Sequence, residues 1–174
     1  EIAIEYENAE KQTIETDETW DTYSSNIVCA DFFDGEAIDF TREEFSDGQK
    51  AEVCDFDLKR EPYLYEPVRV IEKIIPEIIY RDENRIRLDF KKNFAGVISF
   101  TAKGARGGKV IVRFAETLNA DGTLYTENLR RAKCTDELIL SGGYDVFDPE
   151  FTFHGFRYAE ILSDSEFTAT DISG

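Results

Sequence analysis

Residues Ala115–Arg130 read AETLNADGTLYTENLR, and this stretch decides the fold because it is the least generic run in the chain. It follows the alternating apolar run Val110–Phe114 and contains the polar segment Asn119–Gly122. Alternating apolar residues beside a polar turn that contains glycine are typical of a β-hairpin. The stretch therefore predicts a hairpin whose second arm begins at Thr123-Leu124-Tyr125.

The same alternation continues on both sides of this hairpin. In Arg85–Phe90 the even positions are apolar and the odd positions are charged, so one face of the predicted strand is buried and the other is solvated. Further strands are predicted over Val97–Ala102, Lys109–Phe114, Phe151–Phe153 and Arg157–Leu162. Helical periodicity is nearly absent, and strands separated by turns at roughly 8–12-residue spacing predict an all-β antiparallel sandwich.

The first part of the chain has a weaker pattern. Ile2–Tyr6 and Lys11–Thr16 alternate and predict an opening hairpin. Residues 41–66, which include Phe56, have no clean period and predict irregular strand and loop. Val68–Tyr80 predicts strands around Pro76, and this proline requires a sheet edge or a bulge because it lacks a backbone N–H.

Charge divides the chain near Pro67. Residues 1–66 carry 20 acidic and 5 basic side chains, a net charge of −15, whereas residues 67–174 carry 17 and 15, a net charge of −2. We therefore predict two domains, 1–66 and 67–174, and expect the second to fold autonomously. Such an acidic first segment is repelled by phosphate backbones and anionic lipids, which excludes nucleic acid and membrane surfaces as partners. A neutral sugar is compatible with this charge.

The three cysteines, Cys29, Cys54 and Cys134, are odd in number, widely spaced and without histidine companions. This pattern supports neither a disulfide framework nor a zinc site. We expect buried free thiols, which favour a reducing compartment such as the cytoplasm. No run of 18 apolar residues and no signal-like leader is visible, and export of the whole protein is left open.

Several phrases resemble those of bacterial alpha-L-rhamnosidases, glycoside hydrolase family 78. The phrases that resemble the concanavalin-like β-sandwich before the catalytic domain are Asn93-Phe94-Ala95-Gly96, Ala115–Arg130, Thr135-Asp136 and Phe151–Tyr158. Two earlier phrases, Asp17–Trp20 and Asp34–Asp39, resemble the back half of the amino-terminal sandwich domain of the same enzymes.

This resemblance implies a jelly-roll, concanavalin-like sandwich over residues 67–174 and part of a second small β-sandwich over residues 1–66. It also implies a hydrolase that cleaves terminal alpha-L-rhamnosides with inversion, a reaction that needs a carboxylic acid and a carboxylate base. In the resembled enzymes those groups belong to a helical toroid that follows the equivalent of Gly174. The chain itself is therefore expected to contain no catalytic residue and to support that toroid, its partner in the same polypeptide.

Two other functions remain open at this point. The chain is either a self-sufficient binding module for rhamnose-containing glycans or a purely structural interaction domain. The candidate sugar-binding residues are Phe32, Phe33, Asp34, Glu36 and Asp39. Aromatic rings stack on the apolar faces of sugars, and carboxylates accept hydroxyl protons, so this combination suits a glycan. The alternative interpretation of these residues is a solvated acidic loop.

His154 is the only histidine, and a pKa near neutrality suits a general acid or base. The local sequence nevertheless predicts a packed, hydrogen-bonded structural histidine among Phe151, Phe153 and Phe156. No suitably spaced Asp, Ser or Cys appears in the sequence to complete a relay. The rings of Phe151 and Phe153 are expected to be buried, because they repeat at the period of two that is typical of a core strand.

No cofactor and no metal site are predicted. The resemblance makes calcium the alternative, since some relatives carry calcium-dependent rhamnose-binding modules. Oxygen atoms for calcium are present in Asn119, Asp121, Glu127 and Asn128, but turn formation by Asn and Asp explains the same residues. The glycine-rich Lys103–Gly108 lies between two predicted strands, so it predicts a hairpin loop rather than a phosphate-binding loop.

Overall fold

The computed structural model describes residues 2–54, 59 and 61–174; Phe56 lies outside the described residues. In this part of the chain fourteen β-strands occur together with a single 3₁₀ turn, Glu127–Leu129. The all-β prediction is therefore confirmed. The strands are β1 Ile2–Glu5, β2 Lys11–Ile14, β3 Asp21–Ser24, β4 Ile27–Asp31, β5 Gly35–Asp39, β6 Ser46–Lys50, β7 Glu77–Arg81, β8 Arg85–Gly96, β9 Ser99–Gly104, β10 Lys109–Ala115, β11 Thr135–Ile139, β12 Tyr144–Phe147, β13 His154–Ser163 and β14 Phe167–Ser173.

The first of two compact units comprises Glu1–Ser25 and Glu44–Pro67. It contains two antiparallel two-stranded sheets, one formed by β1 and β2 and the other by β3 and β6. The predicted opening hairpin is confirmed, and its turn is closed by hydrogen bonds between the backbones of Tyr6 and Glu10 and of Ala9 and Tyr6, each 2.9 Å long.

The second unit comprises Asn26–Glu43 and Val68–Gly174. A seven-stranded sheet has the order β4-β5-β11-β10-β13-β8-β7, and a three-stranded sheet has the order β12-β9-β14. All pairings in this unit are antiparallel except that of β5 with β11, which is parallel. The division into folding units 1–66 and 67–174 stays a prediction. In the structure, β4 and β5, which precede Pro67 in sequence, belong to the large sheet of the second unit.

The core of the second unit follows from the alternation seen in the sequence. Ile86, Leu88 and Phe90 of β8 are at most 3% exposed and lie on one face of the large sheet. Side chains from both sheets form one buried cluster, which includes Phe100 of β9 and Phe114 of β10. Burial of such large apolar side chains contributes roughly 1.5–3 kcal/mol each, so this alternation is what stabilises the sandwich.

Two predicted strands are wrong. Residues 68–76 form no strand, and only Glu77–Arg81 after Pro76 pairs with β8, at the edge of the large sheet as the proline requires. Phe151–Phe153 also forms no strand, since β13 begins at His154. In both places apolar residues that suggested a buried strand lie on the surface instead.

Candidate functional site

The hairpin predicted from the opening stretch is confirmed. Strand β10 ends at Ala115, and Leu118 and Leu124 form an antiparallel bridge. The amide of Asn119 donates to the carbonyl of Thr123 over 2.8 Å, and Gly122 has φ of 82°, which glycine adopts without steric cost. The tip of this hairpin is held against β8, because Nη1 of Arg87 donates to the carbonyl of Gly122.

Buried ion pairs occupy the outer face of the large sheet beneath this hairpin. The guanidinium of Arg87 contacts Oε2 of Glu160 at 2.5 Å and 2.9 Å, and both residues are less than 9% exposed. Asp89 accepts two hydrogen bonds from Arg157, which hold the pKa of its carboxyl well below its usual range. These acids are paired and neutralised, so they position the hairpin rather than offer a free acid.

The predicted sugar-binding loop forms a tight turn between β4 and β5. Oδ1 of Asp31 accepts hydrogen bonds from the amides of Phe33 and Asp34, and this leaves the rings of Phe32 and Phe33 66% and 72% exposed. Gly35 has φ of 115°, and a Cβ atom there would lie 2.2 Å from the carbonyl oxygen of Thr135. Only glycine fits this close passage of the loop over the start of β11.

The three predicted carboxylates in this region have different environments. Asp34 forms an ion pair with Lys133 at 2.7 Å, and this hydrogen bond lowers the pKa of Asp34. Asp39 accepts hydrogen bonds from Thr41 and Arg42, of which the Thr41 hydroxyl contributes most to lowering its pKa. Glu36 is 1% exposed, and burial raises its pKa. Of the three, only Asp34 lies next to the exposed rings.

Phe151 and Phe153 are exposed by 57% and 46%, so the prediction that their rings are buried is wrong. The period of two is present in the opposite phase: Thr152, His154 and Phe156 point inward. The exposed segment is tied to the loop between β4 and β5, because Thr152 Oγ1 donates to the carbonyl of Asp31 and the ring of Phe153 lies 5.6 Å from that of Phe32.

The loop at β4–β5 and the segment before His154 therefore form one surface, which we call the aromatic patch. It consists of Phe32, Phe33, Phe151 and Phe153. Glu36 fixes it from below, since its Oε2 accepts hydrogen bonds from the amides of Phe151 at 2.7 Å and Glu150 at 3.2 Å. The sequence predicts sugar binding at the loop alone, because the rings of Phe151 and Phe153 are expected to be buried; the structure brings together two segments that are about 115 residues apart.

His154 is a buried, hydrogen-bonded structural histidine, as the sequence predicts, but its partners are an Asp and a Cys that the sequence spacing did not suggest. Its Nε2 lies 2.9 Å from Oδ1 of Asp136, and its Nδ1 lies 3.4 Å from Sγ of Cys134. Burial alone would lower the pKa of His154, but the contacts with Asp136 and Cys134 outweigh it and raise the pKa to about 9. The ring also stacks on Phe114, with centroids 4.2 Å apart.

This Cys134–Asp136–His154 cluster resembles a nucleophile relay in its order of contacts, yet all three residues are at most 8% exposed. Asp136 Oδ1 also accepts a hydrogen bond from the amide of Glu36 at 2.9 Å, so the cluster links β5, β11 and β13. A cluster that is enclosed in this way stabilises the sheet under the aromatic patch. Sequence spacing could not reveal it, because β10 lies between β11 and β13.

The thiol prediction is wrong for two of the three cysteines. All three are free, but Cys29 and Cys54 are exposed and only Cys134 is buried.

In the described ranges 2–54, 59 and 61–174, no group of three or more His, Cys, Asp or Glu side chains has the geometry to hold a metal ion. Asp121 and Asn119 instead use their side chains to bond Thr123 within the hairpin turn.

None of the helices in the described residues is long and apolar enough to cross a membrane.

These features define a β-sandwich module with an enclosed cluster of Cys134, Asp136 and His154 and with exposed aromatic and aliphatic side chains on its surface. The chain belongs to the bacterial alpha-L-rhamnosidase family. Residues 80–174 match the model of the bacterial alpha-L-rhamnosidase concanavalin-like domain, and residues 1–86 match that of the alpha-L-rhamnosidase N-terminal domain.

Individual relatives agree with this assignment. An alpha-L-rhamnosidase of Streptomyces avermitilis is 33% identical over 92% of this chain and 17% of its own length, and one of Formosa agariphila is 33% identical over 92% and 19%. The crystal structure of the Streptomyces avermitilis enzyme complexed with L-rhamnose superposes with a TM-score of 0.82 at 32% identity, covering 99% of this chain and 18% of that one. The structure from Dictyoglumus thermophilum gives a TM-score of 0.79 at 31% identity, covering 99% and 21%.

The chain thus spans about a fifth of the length of the relatives that it matches. It corresponds to an amino-terminal, non-catalytic β-sandwich portion of alpha-L-rhamnosidase-like proteins.

Proposed function

We propose that this chain is the scaffold portion of a longer polypeptide that hydrolyses terminal alpha-L-rhamnosides, and that it supports the catalytic domain of that polypeptide. The observation that carries the proposal is the match of nearly the whole chain to relatives that are about five times longer. Both family models match within these 174 residues. We therefore expect the catalytic residues in the remaining four fifths of such a polypeptide, outside the two sandwich domains.

The electrostatics of the chain support a non-catalytic role. Inverting glycoside hydrolysis requires one carboxyl group with a raised pKa as the acid and a second carboxylate as the base, both facing an open cleft. A groove of about 490 Å³ in the second unit has Asp82, Glu83 and Glu166 among its lining residues. The pKa of Asp82 is lowered by a hydrogen bond from Tyr80, which is the wrong direction for an acid. Glu36 has a raised pKa, but it is enclosed.

The test is an assay of the purified chain and of the longer polypeptide on a nitrophenyl alpha-L-rhamnoside. We expect hydrolysis by the longer polypeptide and none by the chain. Turnover by the chain that is lost when a single acid is replaced by alanine would overturn the scaffold proposal. Sequencing the gene beyond the codon for Gly174 is a cheaper check, and a stop codon there would also overturn it.

A second candidate function is a self-sufficient module that binds rhamnose-containing glycans. The observation that favours it is the aromatic patch, whose four phenylalanines are exposed and whose loop also carries the carboxylate of Asp34. Exposed aromatic faces next to a hydrogen-bonding group suit a sugar, although aromatic surface is equally common in protein interfaces. A sugar titration distinguishes a glycan-binding site from a protein interface.

A further inference from the structure

We propose that the open edge of the large sandwich, between β7 and β14, together with residues 68–76, is the surface on which the catalytic portion of the same polypeptide docks. This inference rests on the proposed function and adds to it the location of the interface. We call the exposed apolar side chains of residues 68–75 the apolar strip; they are Val68, Val70, Ile71 and Ile75.

The apolar strip is unusually exposed for aliphatic side chains. Val68 and Ile71 are each 90% exposed, Val70 is 85% and Ile75 is 74%. Isolated exposed aliphatic residues are ordinary on protein surfaces, but several of them clustered in one short segment mark an interaction site. The run continues into β7, where Ile78 is 45% exposed.

The strip is nevertheless held in a defined position, as a docking surface requires. Ile74 packs against the core cluster and exchanges two backbone hydrogen bonds with Gly174, of 2.7 Å and 2.9 Å. Ion pairs of Glu72 with Lys92 and of Glu77 with Lys91 tie its solvent side to β8. A preorganised surface loses little conformational entropy when a partner binds.

A groove runs beside the strip between the two sheets. One part, about 300 Å³, is lined on one side by Ile75, Pro76 and Ile78 and on the other by Ala169 and Ile172. Strand β7 is the last strand of the large sheet and β14 is the last of the small sheet, so the sandwich is open along this side. Apolar side chains inserted into such a groove are the usual anchors of a protein interface.

Geometry favours the same polypeptide as the occupant. Strand β14 ends at Ser173, and Gly174 is bonded to Ile74, so any residues that follow in a longer polypeptide start next to the strip. A tethered partner has a high effective concentration, which allows docking without strong intrinsic affinity. A second copy of this chain is disfavoured, because each copy carries a net charge of −17 and the two would repel.

Hydrogen exchange of the 174-residue chain and of the longer polypeptide tests this location. We expect slower exchange in the longer polypeptide over residues 68–81 and 167–174, and unchanged exchange over β12, which lies at the opposite edge of the small sheet. Equal exchange at 68–81 in the two proteins would overturn the docking site. Protection of these residues in the chain alone, with a dimeric mass by light scattering, would assign the surface to a second copy and also overturn it.

A matched pair of substitutions in the longer polypeptide shows whether a charge disrupts docking only when it is placed in the apolar strip. Ile71→Asp places a charge in the strip, whereas Val146→Asp places one on exposed β12, where the original side chain is 63% exposed. We expect Ile71→Asp to remove the protection and to lower the melting temperature of the longer polypeptide, and Val146→Asp to do neither. An active longer polypeptide without protection at 68–81 contradicts the docking site alone, whereas an inactive one contradicts the proposed function.

Discussion

The imidazole Nε2 of His154 lies 2.9 Å from Oδ1 of Asp136, and both side chains are almost completely buried. The same carboxylate oxygen accepts a hydrogen bond from the backbone amide of Glu36, so this buried acid joins β5, β11 and β13 of the large sheet. This arrangement stabilises the charged imidazole inside the protein and makes the stability of the sheet dependent on pH.

The first prediction concerns the pH dependence of stability. The pKa of His154 is raised from 6.5 to about 9 in the folded chain, so its contribution is fully present below pH 6.5 and is lost as the pH rises through about 9. We expect the free energy of unfolding to fall by up to about 3 kcal/mol over this range. Urea denaturation between pH 6 and pH 10 measures it.

His154→Gln is the control for this titration, because an amide still donates to Asp136 but does not titrate. The variant is best made in a Cys29→Ser/Cys54→Ser background, since exposed free thiols oxidise during denaturation. A pH profile as steep as that of the parent would show that His154 is not the group responsible.

A second prediction concerns the buried carboxyl of Glu36. Oε1 of Glu36 and Oδ2 of Asp136 are both buried without a hydrogen-bond partner, and the two acids repel each other. Glu36→Gln keeps an acceptor for the amides of Glu150 and Phe151 and removes the repulsion, so we expect equal or greater stability at pH 7. The raised pKa means that this advantage shrinks as the pH falls and the native acid becomes protonated.

Thermal denaturation of the parent and of Glu36→Gln at pH 7 and pH 4 measures this difference. Glu36→Ala is the informative comparison, because it removes the acceptor of the Glu150 and Phe151 amides and is expected to destabilise at both pH values. A Gln variant as unstable as the Ala variant would mean that the negative charge itself holds the aromatic patch.

A third prediction concerns the ion pair of Arg87 and Glu160, which lies beneath the hairpin that contains Gly122. Arg87→Ala removes both hydrogen bonds to the buried Glu160, leaving only the Arg85 guanidinium 3.9 Å from Oε2, and removes the donor to Gly122, so we expect a loss of at most roughly 3–5 kcal/mol. The double variant Arg87→Met/Glu160→Gln removes both charges and should lose much less. Chemical denaturation of the two variants decides this, and a double variant less stable than Arg87→Ala would contradict the desolvation argument.

The sequence predicts the strands of this protein where alternation coincides with a long-range partner, as in Arg85–Phe90 and Lys109–Phe114. The prediction fails where the same types of apolar residue lie on an exposed surface. Val68–Ile75 has the composition of a strand, but the structure supplies no neighbouring strand. Phe151 and Phe153 alternate correctly, but the phase is set by the buried bonds of Thr152 and His154.

The candidate site was predicted only in part for a related reason. Phe32, Phe33 and Asp34 are adjacent in sequence, and they lie together on the surface. Glu36 alternates inward from them because it enters β5, and its partners at 150 and 151 are more than a hundred residues away. Contacts across such separations depend on strand order, which one sequence does not specify.

A fourth prediction follows from the strand order. A fragment that begins at Pro67 lacks β5, whose Ile38 is buried beside Leu138 of β11 and whose Glu36 bonds Asp136. We therefore expect the fragment 67–174 to be much less stable than the fragment 26–174, in place of the autonomous folding that the sequence suggests. Urea denaturation followed by circular dichroism compares them, and equal midpoints would restore the sequence-based domain boundary.

The last prediction concerns sugar binding. If the chain binds rhamnose, the aromatic patch is the site, and a single sugar on so open a surface should bind at about millimolar affinity because it makes few contacts. An NMR titration of the chain with rhamnose, with and without calcium, should shift the resonances of Phe32, Phe33, Phe151 and Phe153 together. Binding that requires calcium would favour the self-sufficient module over the scaffold.

Phe32→Ala/Phe153→Ala should abolish the response, because these two rings contact each other and form the centre of the patch. Phe45→Ala is the matched control, since this ring is 68% exposed but belongs to the first unit. Asp34→Asn tests the carboxylate without altering Glu36, whose burial would otherwise confuse loss of binding with loss of folding. No shift up to tens of millimolar, or a shift that survives the double substitution, would leave the aromatic patch as a protein interface and the scaffold as the function.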